Sequence, residues 1–166
     1  MTLDVAVRVE CEGWRIIADP QGFAERVIGA ALRATGFKLP PDAEVSLLLC
    51  DDAAIRALNK AWRKKDKATN VLSFPSAPAG PGAGAPMLGD IVIAFETTRG
   101  EAADEMKTLP DHAAHLLAHG FLHLIGYDHG SEAEAEEMEA MERRILSRLG
   151  IDDPYRVAAP RKAAGR

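Results

Sequence analysis

Three histidines in the run His119-Gly120-Phe121-Leu122-His123-Leu124-Ile125-Gly126-Tyr127-Asp128-His129 restrict the fold of this chain more than any other feature. The spacing is H-x-x-x-H-x-x-G-x-x-H. Two histidines four apart on a helix leave the same face one turn above each other, so their ring nitrogens can aim at one point. Gly126 follows the second histidine by three residues, where a glycine can take the positive φ that ends a helix. That reversal brings His129 back toward the first two rings. Three neutral imidazoles with no further ligand in the motif describe an open zinc site rather than a closed structural one. His119, His123 and His129 are therefore the expected ligands of one Zn²⁺, and imidazole sites also accept other divalent transition metals.

The same stripe continues backward to His115 and His112. His115 with His119 also satisfies the four-residue rule, but only His123 lies close enough to Gly126 for His129 to fold back. His115 is expected to pack or hydrogen-bond nearby, His112 to be solvated near the helix start, and Asp128 either to orient the turn or to act as a hydrogen-bond partner or proton acceptor beside the third ligand.

The rest of the chain supplies a frame for that helix. Val5, Val7 and Val9 alternate as in a strand, and Glu44 to Cys50 is a compact apolar run. Asn70 to Phe74 and Leu88 to Phe95 read as two further strands. Helical patterns cover Pro20 to Gly36, the stretch after Asp51 or Asp52 with Ile55, Leu58 and Trp62 as its stripe, Glu96 to Lys107, the motif helix from Thr108 or Leu109, and Ser131 to Gly150. The expected fold class is α+β: one domain, a small mixed four-stranded sheet packed with about five helices, the metal site on the penultimate helix and the turn after it. Strand order is not legible. The domain is expected to span 1–155, with a disordered basic tail over 156–166. The Ala/Gly/Pro-rich stretch 76–86 is expected to be a loop.

Composition narrows the class of protein. With 166 residues the chain can bury one real core. Cys11 and Cys50 form neither a metal pair nor a disulfide scaffold, and MTLDVAVRVE lacks the features of a secretory signal. No apolar run reaches the length of a membrane span, so a cytoplasmic protein is expected. The net charge of −5 hides a strong asymmetry. Arg56, Lys60, Arg63, Lys64, Lys65 and Lys67 lie close together against the single Asp66, whereas Glu132, Glu134, Glu136, Glu137, Glu139 and Glu142 form an acidic run. Distribution matters more than the sum for binding a polyanion.

Three neutral ligands leave both positive charges on a bound zinc, which acidifies water for hydrolysis. The spacing is that of the metzincin proteases, HExxHxxGxxH, whose glutamate is the general base. Gly120 stands at that position, so a peptidase of that design lacks its base. An uncompensated cation beside a basic helix face suits an anionic substrate such as a phosphodiester.

These residues resemble a known family. The run His119 to His129 is similar to the H-G-x-L-H-L-x-G-Y-D-H signature of the YbeY family of bacterial endoribonucleases. Leu58-Asn59 through Arg63, then Lys67 to Pro75, resembles the family's LN…R…TDVLSFP segment, and Leu88 to Ile93 its LGDI strand. The resemblance spans roughly residues 45–150. It implies a single α+β domain, a metal on the three histidines, and cleavage of single-stranded RNA in maturation of the small-subunit ribosomal RNA end and in ribosome quality control. It also implies that Arg63 contacts phosphate and supports catalysis, as a guanidinium forking onto phosphate oxygens can. Lys60, Lys64 and Lys67 would guide the strand, and ribosomal or ribosome-associated proteins would be partners. The chain departs from the family at Asn70, where an aspartate is usual, which leaves a hydrogen-bonding role there but no carboxylate chemistry. The alternatives are a zinc metalloprotease-like hydrolase and a non-catalytic ribosome-assembly factor with a structural metal.

Overall fold

The structure, a computed structural model, describes residues 3–76 and 86–155. The expected basic tail, and all of the Ala/Gly/Pro loop except Ser76 and Pro86, lie outside the described residues. Strand β1 (Asp4–Val9) leads through a 3-10 turn (Glu12–Ile16) into α1 (Pro20–Thr35). Then follow β2 (Glu44–Cys50), α2 (Asp52–Arg63), β3 (Val71–Pro75), β4 (Met87–Ala94), α3 (Phe95–Asp104), α4 (Leu109–Leu124) and α5 (Glu132–Arg148). The α+β class and the mixed four-stranded sheet are as expected. The 3-10 turn is an addition; it buries Trp14, whose indole donates to the Cys50 carbonyl.

The sheet order is β1-β2-β4-β3. The first three strands are parallel, and β3 closes one edge antiparallel to β4. The β1–α1–β2 crossover explains the parallel start: a strand returning parallel needs a long connection, and the amphipathic α1 supplies it. Its ends are chemically marked. Asp19 accepts from the Gly22 backbone N–H, and Gly36 closes the helix at φ 66°.

The two sheet faces are unequally covered. Val5, Val45, Leu47, Leu49, Ile91 and Ile93 point into a core made with α1, α4 and α5. Among the described residues the other face receives only α2, over a smaller cluster of Cys50, Ile55, Leu72, Val92 and Ala94. The Cys50 thiol is buried, which with nearby Asp51 pushes it up to about 12, and both cysteines are free. Trp62 does not join the α2 stripe; it is 72% exposed, and Asn59 is the buried residue of that last turn. In the final turn of the helix Trp62 meets the ring of Phe74 of β3, with centroids 6.3 Å apart. Arg63 is also the last helical residue, because Lys64 takes a φ of 59°, so Lys67 is not on the helix.

Helix α4 carries the motif through the centre of the molecule. Thr108 caps it by accepting from the Asp111 N–H, with Pro110 in its first turn. Ala113, Ala114, Leu117, Ala118, Phe121 and Leu122 are buried. Small residues let this helix approach the sheet closely. A Cβ on Gly120 would lie 2.9 Å from Ile91 Cγ2 and 3.3 Å from Ser73 Oγ. No helix among the described residues is long and apolar enough to cross a membrane.

Candidate metal centre

Helix α4 holds His119 and His123 one turn apart, and the turn after it returns His129. Gly126 has φ 109°, which side-chain-bearing residues rarely adopt, and the Tyr127 N–H bonds back to the Leu122 carbonyl. Asp128 accepts from the His129 backbone N–H at 2.8 Å, the turn-orienting role expected of it. The ring centroids of the three histidines lie 4.6, 4.9 and 5.8 Å apart. One ligand nitrogen from each lies within 4.8 Å of the others, and among the described residues no further imidazole, thiolate or carboxylate joins them.

Hydrogen bonds fix which nitrogen each ring offers. The Tyr127 carbonyl only accepts, so His123 donates to it from Nδ1, at 3.0 Å. The Glu142 carboxylate accepts from His119 Nδ1 at 2.7 Å. Burial alone would raise the Glu142 carboxyl, but hydrogen bonds from His115, His119 and Tyr155 outweigh it and hold it at about 2. Both Nε2 atoms therefore carry lone pairs, and they face each other at 3.2 Å. Two lone pairs at that distance need a cation or a proton between them. Burial, aided by neighbouring His119, pushes His123 below the usual imidazole range and so disfavours the proton. Nitrogens about 2.0–2.1 Å from a tetrahedral zinc would stand about 3.3 Å apart. The donor set and its spacing fit such an ion.

Glu142 was hidden in the sequence among the acids of α5. Its carboxylate is 1% exposed and joins two kinds of histidine: Oε2 serves His119, and Oε1 accepts from His115 Nε2 at 2.6 Å and from the Tyr155 hydroxyl. Glu142 lies four residues after Met138 and three before Ile145, both fully buried. An acid on an apolar stripe is a hint of burial, but it names no partner. His115 thus hydrogen-bonds nearby as expected. His112 is not solvated: it is 3% exposed and pairs through Nε2 with Glu101 at 2.8 Å, because α3 packs against the start of α4. Asn70 donates to the same Glu101 and accepts from the Val71 N–H, so its role is a turn hydrogen-bonder.

The three histidines line a cleft of about 620 Å³ with Arg63, Asn70 and Ser73. Arg63 is exposed and has no carboxylate partner among the described residues. Arg56 and Lys60 approach Asp66, at 2.8 and 3.9 Å, in exposed pairs. Asn59 braces the loop after Arg63 by donating to the Lys67 carbonyl. The position of a protease's general base is filled by packing, since Gly120 sits against Ile91 and Ser73.

A mixed sheet presenting three converging imidazoles and an unpaired arginine on one cleft defines the class: an α+β protein with the donor set of a hydrolytic metal centre. Comparison with known proteins carries this further. Residues 11–150 match the family model described as Endoribonuclease YbeY. The chain is 57% identical over 151 residues to the Endoribonuclease YbeY of Methylocella silvestris, covering 91% of this chain and 85% of that one. It is 53% identical to that of Rhizobium meliloti, covering 92% and 95%, and 50% identical to that of Azorhizobium caulinodans, covering 95% and 99%. A Thermotoga maritima protein solved in solution shares the fold with a TM-score of 0.54 and 20% identity, over 92% of this chain and 99% of that one. The chain belongs to the YbeY endoribonuclease family, as its motifs implied.

Proposed function

We propose that this protein is a metal-dependent endoribonuclease that cleaves single-stranded RNA during maturation of small-subunit ribosomal RNA. The observation that carries the reading is the pair of facing Nε2 lone pairs on His119 and His123, with His129 beside them and an unpaired Arg63 on the same cleft. His119, His123 and His129 hold one Zn²⁺, and the ion, when bound, supplies Lewis acidity that polarises a phosphoryl oxygen and acidifies water.

The chain's own residues do the rest. Arg63 receives the scissile phosphate through its guanidinium fork and steadies the charge that develops on its oxygens. Among the described residues no carboxylate forms an ion pair with it. Glu142 and the Tyr127 carbonyl each accept a hydrogen bond from an Nδ1–H, which keeps both Nε2 atoms turned to the cleft. Asp128 stiffens the turn that carries His129. Lys64 and Lys67, free of ion pairs among the described residues, add to the phosphate field. Residues 1–155 act as one domain in the cytoplasm, and ribosomal or ribosome-associated proteins bring it to its RNA.

The test is cleavage of a single-stranded ribosomal RNA fragment by highly purified wild type beside His119→Ala and Arg63→Ala. Wild type should cut; His119→Ala should lose metal and cleavage together; Arg63→Ala should keep metal and lose roughly 10²–10³-fold in rate. Equal cutting by all three would trace the activity to a contaminant. Cleavage of an unfolded polypeptide but not of RNA would overturn the reading.

A further inference from the structure

The open face of the sheet holds a second depression, of about 440 Å³, that the catalytic cleft does not use. Its floor is a register-matched row, Leu48 between Arg8 and Val92, and its wall is Leu58 with Trp62 and Phe74. The two rings meet with centroids 6.3 Å apart at 57°, and Trp62 remains 72% exposed. An indole left so bare adds little to the core. Its neighbour in sequence is Arg63.

The wall between this groove and the cleft is one strand thick. Along β3, Val71, Leu72, Ser73 and Pro75 line the cleft, whereas Phe74 lines the groove. Because β3 is the sheet edge, no further strand among the described residues blocks the way from one depression to the other. Consecutive residues at the end of α2 therefore serve the two sides, Arg63 the cleft and Trp62 the groove.

Resting on the function proposed above, we infer that Trp62 and Phe74 form a stacking site for an unpaired base next to the scissile phosphate. The strand crosses the edge of β3 with its phosphate at Arg63 and its flanking base on the indole. Aromatic faces accept any base, and an adjoining cation holds the backbone, the combination found in single-strand binding proteins. The Asp90 carboxylate, bonded to the Ser46 hydroxyl at the groove floor, can accept from an amino or imino edge of that base. A base locked in a duplex cannot reach the indole, so the groove gives this chain a physical basis for preferring single strands.

The test uses the full-length, metal-loaded protein mixed with a short single-stranded oligoribonucleotide in a stopped-flow cell, so that binding is read before cleavage. Only two tryptophans are present, and Trp14 is fully buried, so quenching by RNA reports on Trp62. The expected result is saturable quenching that disappears when one nucleotide of the oligomer is made abasic. Trp62→Ala should weaken binding roughly 5- to 150-fold, seen mainly in KM, with an unchanged salt dependence. Trp62→Phe should recover most of the loss, and the exposed position predicts an unchanged melting temperature for both. Lys64→Ala should instead lower the salt slope by about one.

Wild-type binding and cleavage by Trp62→Ala would overturn the inference while leaving the endoribonuclease intact. Trp62→Ala that handles RNA normally but no longer binds a protein would make the groove a protein-docking site and would equally overturn it. Wild type that neither binds nor cuts RNA would sink the proposed function itself.

Discussion

Helix α4 presents two pairs of histidines along one stripe, and the pairs have opposite fates. His112 and His115 point Nε2 at carboxylates, Glu101 and Glu142, and their Nδ1 atoms are buried without partners. His119 and His123 spend Nδ1 on an acceptor and turn Nε2 toward each other. Residue type and helix are the same, and the spacing differs only between three residues and four. The difference is which ring nitrogen meets an acceptor first, and that is decided by neighbours on other elements. One carboxylate, Glu142, takes part in both outcomes. It consumes the metal-binding atom of His115 and frees that of His119. A histidine stripe therefore does not define a metal site until its acceptors are placed.

The largest expected break in this comparison is His123→Ala beside His115→Ala. The first should abolish metal retention, well beyond the roughly 10–100-fold typical of losing an outer hydrogen-bond partner. The second should keep the metal. Metal content after gel filtration, with chelator competition for affinity, separates them; equal losses would erase the distinction between the pairs.

Removing the ion is the next lever. At free metal about 100 times the dissociation constant, binding stabilises the fold by about 2.7 kcal/mol. A chelator should then lower the melting temperature by roughly 5–10 °C for a chain of this size. His123→Ala should melt at the same temperature with and without chelator.

Glu142→Gln keeps the shape of the side chain and removes its charge. Metal affinity should fall roughly 10–100-fold, read by titration against a chromophoric chelator. An unchanged affinity would show that Tyr127, His123 and His129 suffice to set the site.

The smallest change concerns the non-metal pair alone. Asn70→Asp deletes the amide donor to Glu101 and sets two carboxylates against each other. Denaturant unfolding should show a loss of about 1–3 kcal/mol, with metal affinity unaltered. A shift in metal affinity would couple the two pairs.

What could be read from the sequence follows from how local each signal is. The three ligands lie within eleven residues, and their geometry depends on helix pitch and one glycine, so His119, His123 and His129 were legible without the fold. Caps such as Asp51 and Ser131 were legible for the same reason. The acceptors were not. Glu142 reaches His119 from a different helix, and its sequence neighbours are surface acids. The burial of His112 depends on α3, whose polar composition gave no sign of covering it. Trp62 fell on the apolar stripe of its helix by period alone, but it stays 72% exposed on the wall of a groove beside Phe74. Strand order was beyond reach because the β2–β4 pairing skips over β3.

The close seating of Gly120 bears on how such a domain can diverge. The spacing of its histidines is shared with peptidases, and one codon would seem to separate the two chemistries. Here that codon is sterically frozen: even a methyl group would press on Ile91, so a glutamate could enter only if the helix first lifted off the sheet. Lifting it would pull apart the same core that holds the rings in place. Natural drift or laboratory selection toward proteolysis would have to rebuild the layer beneath the helix before it could try the new base.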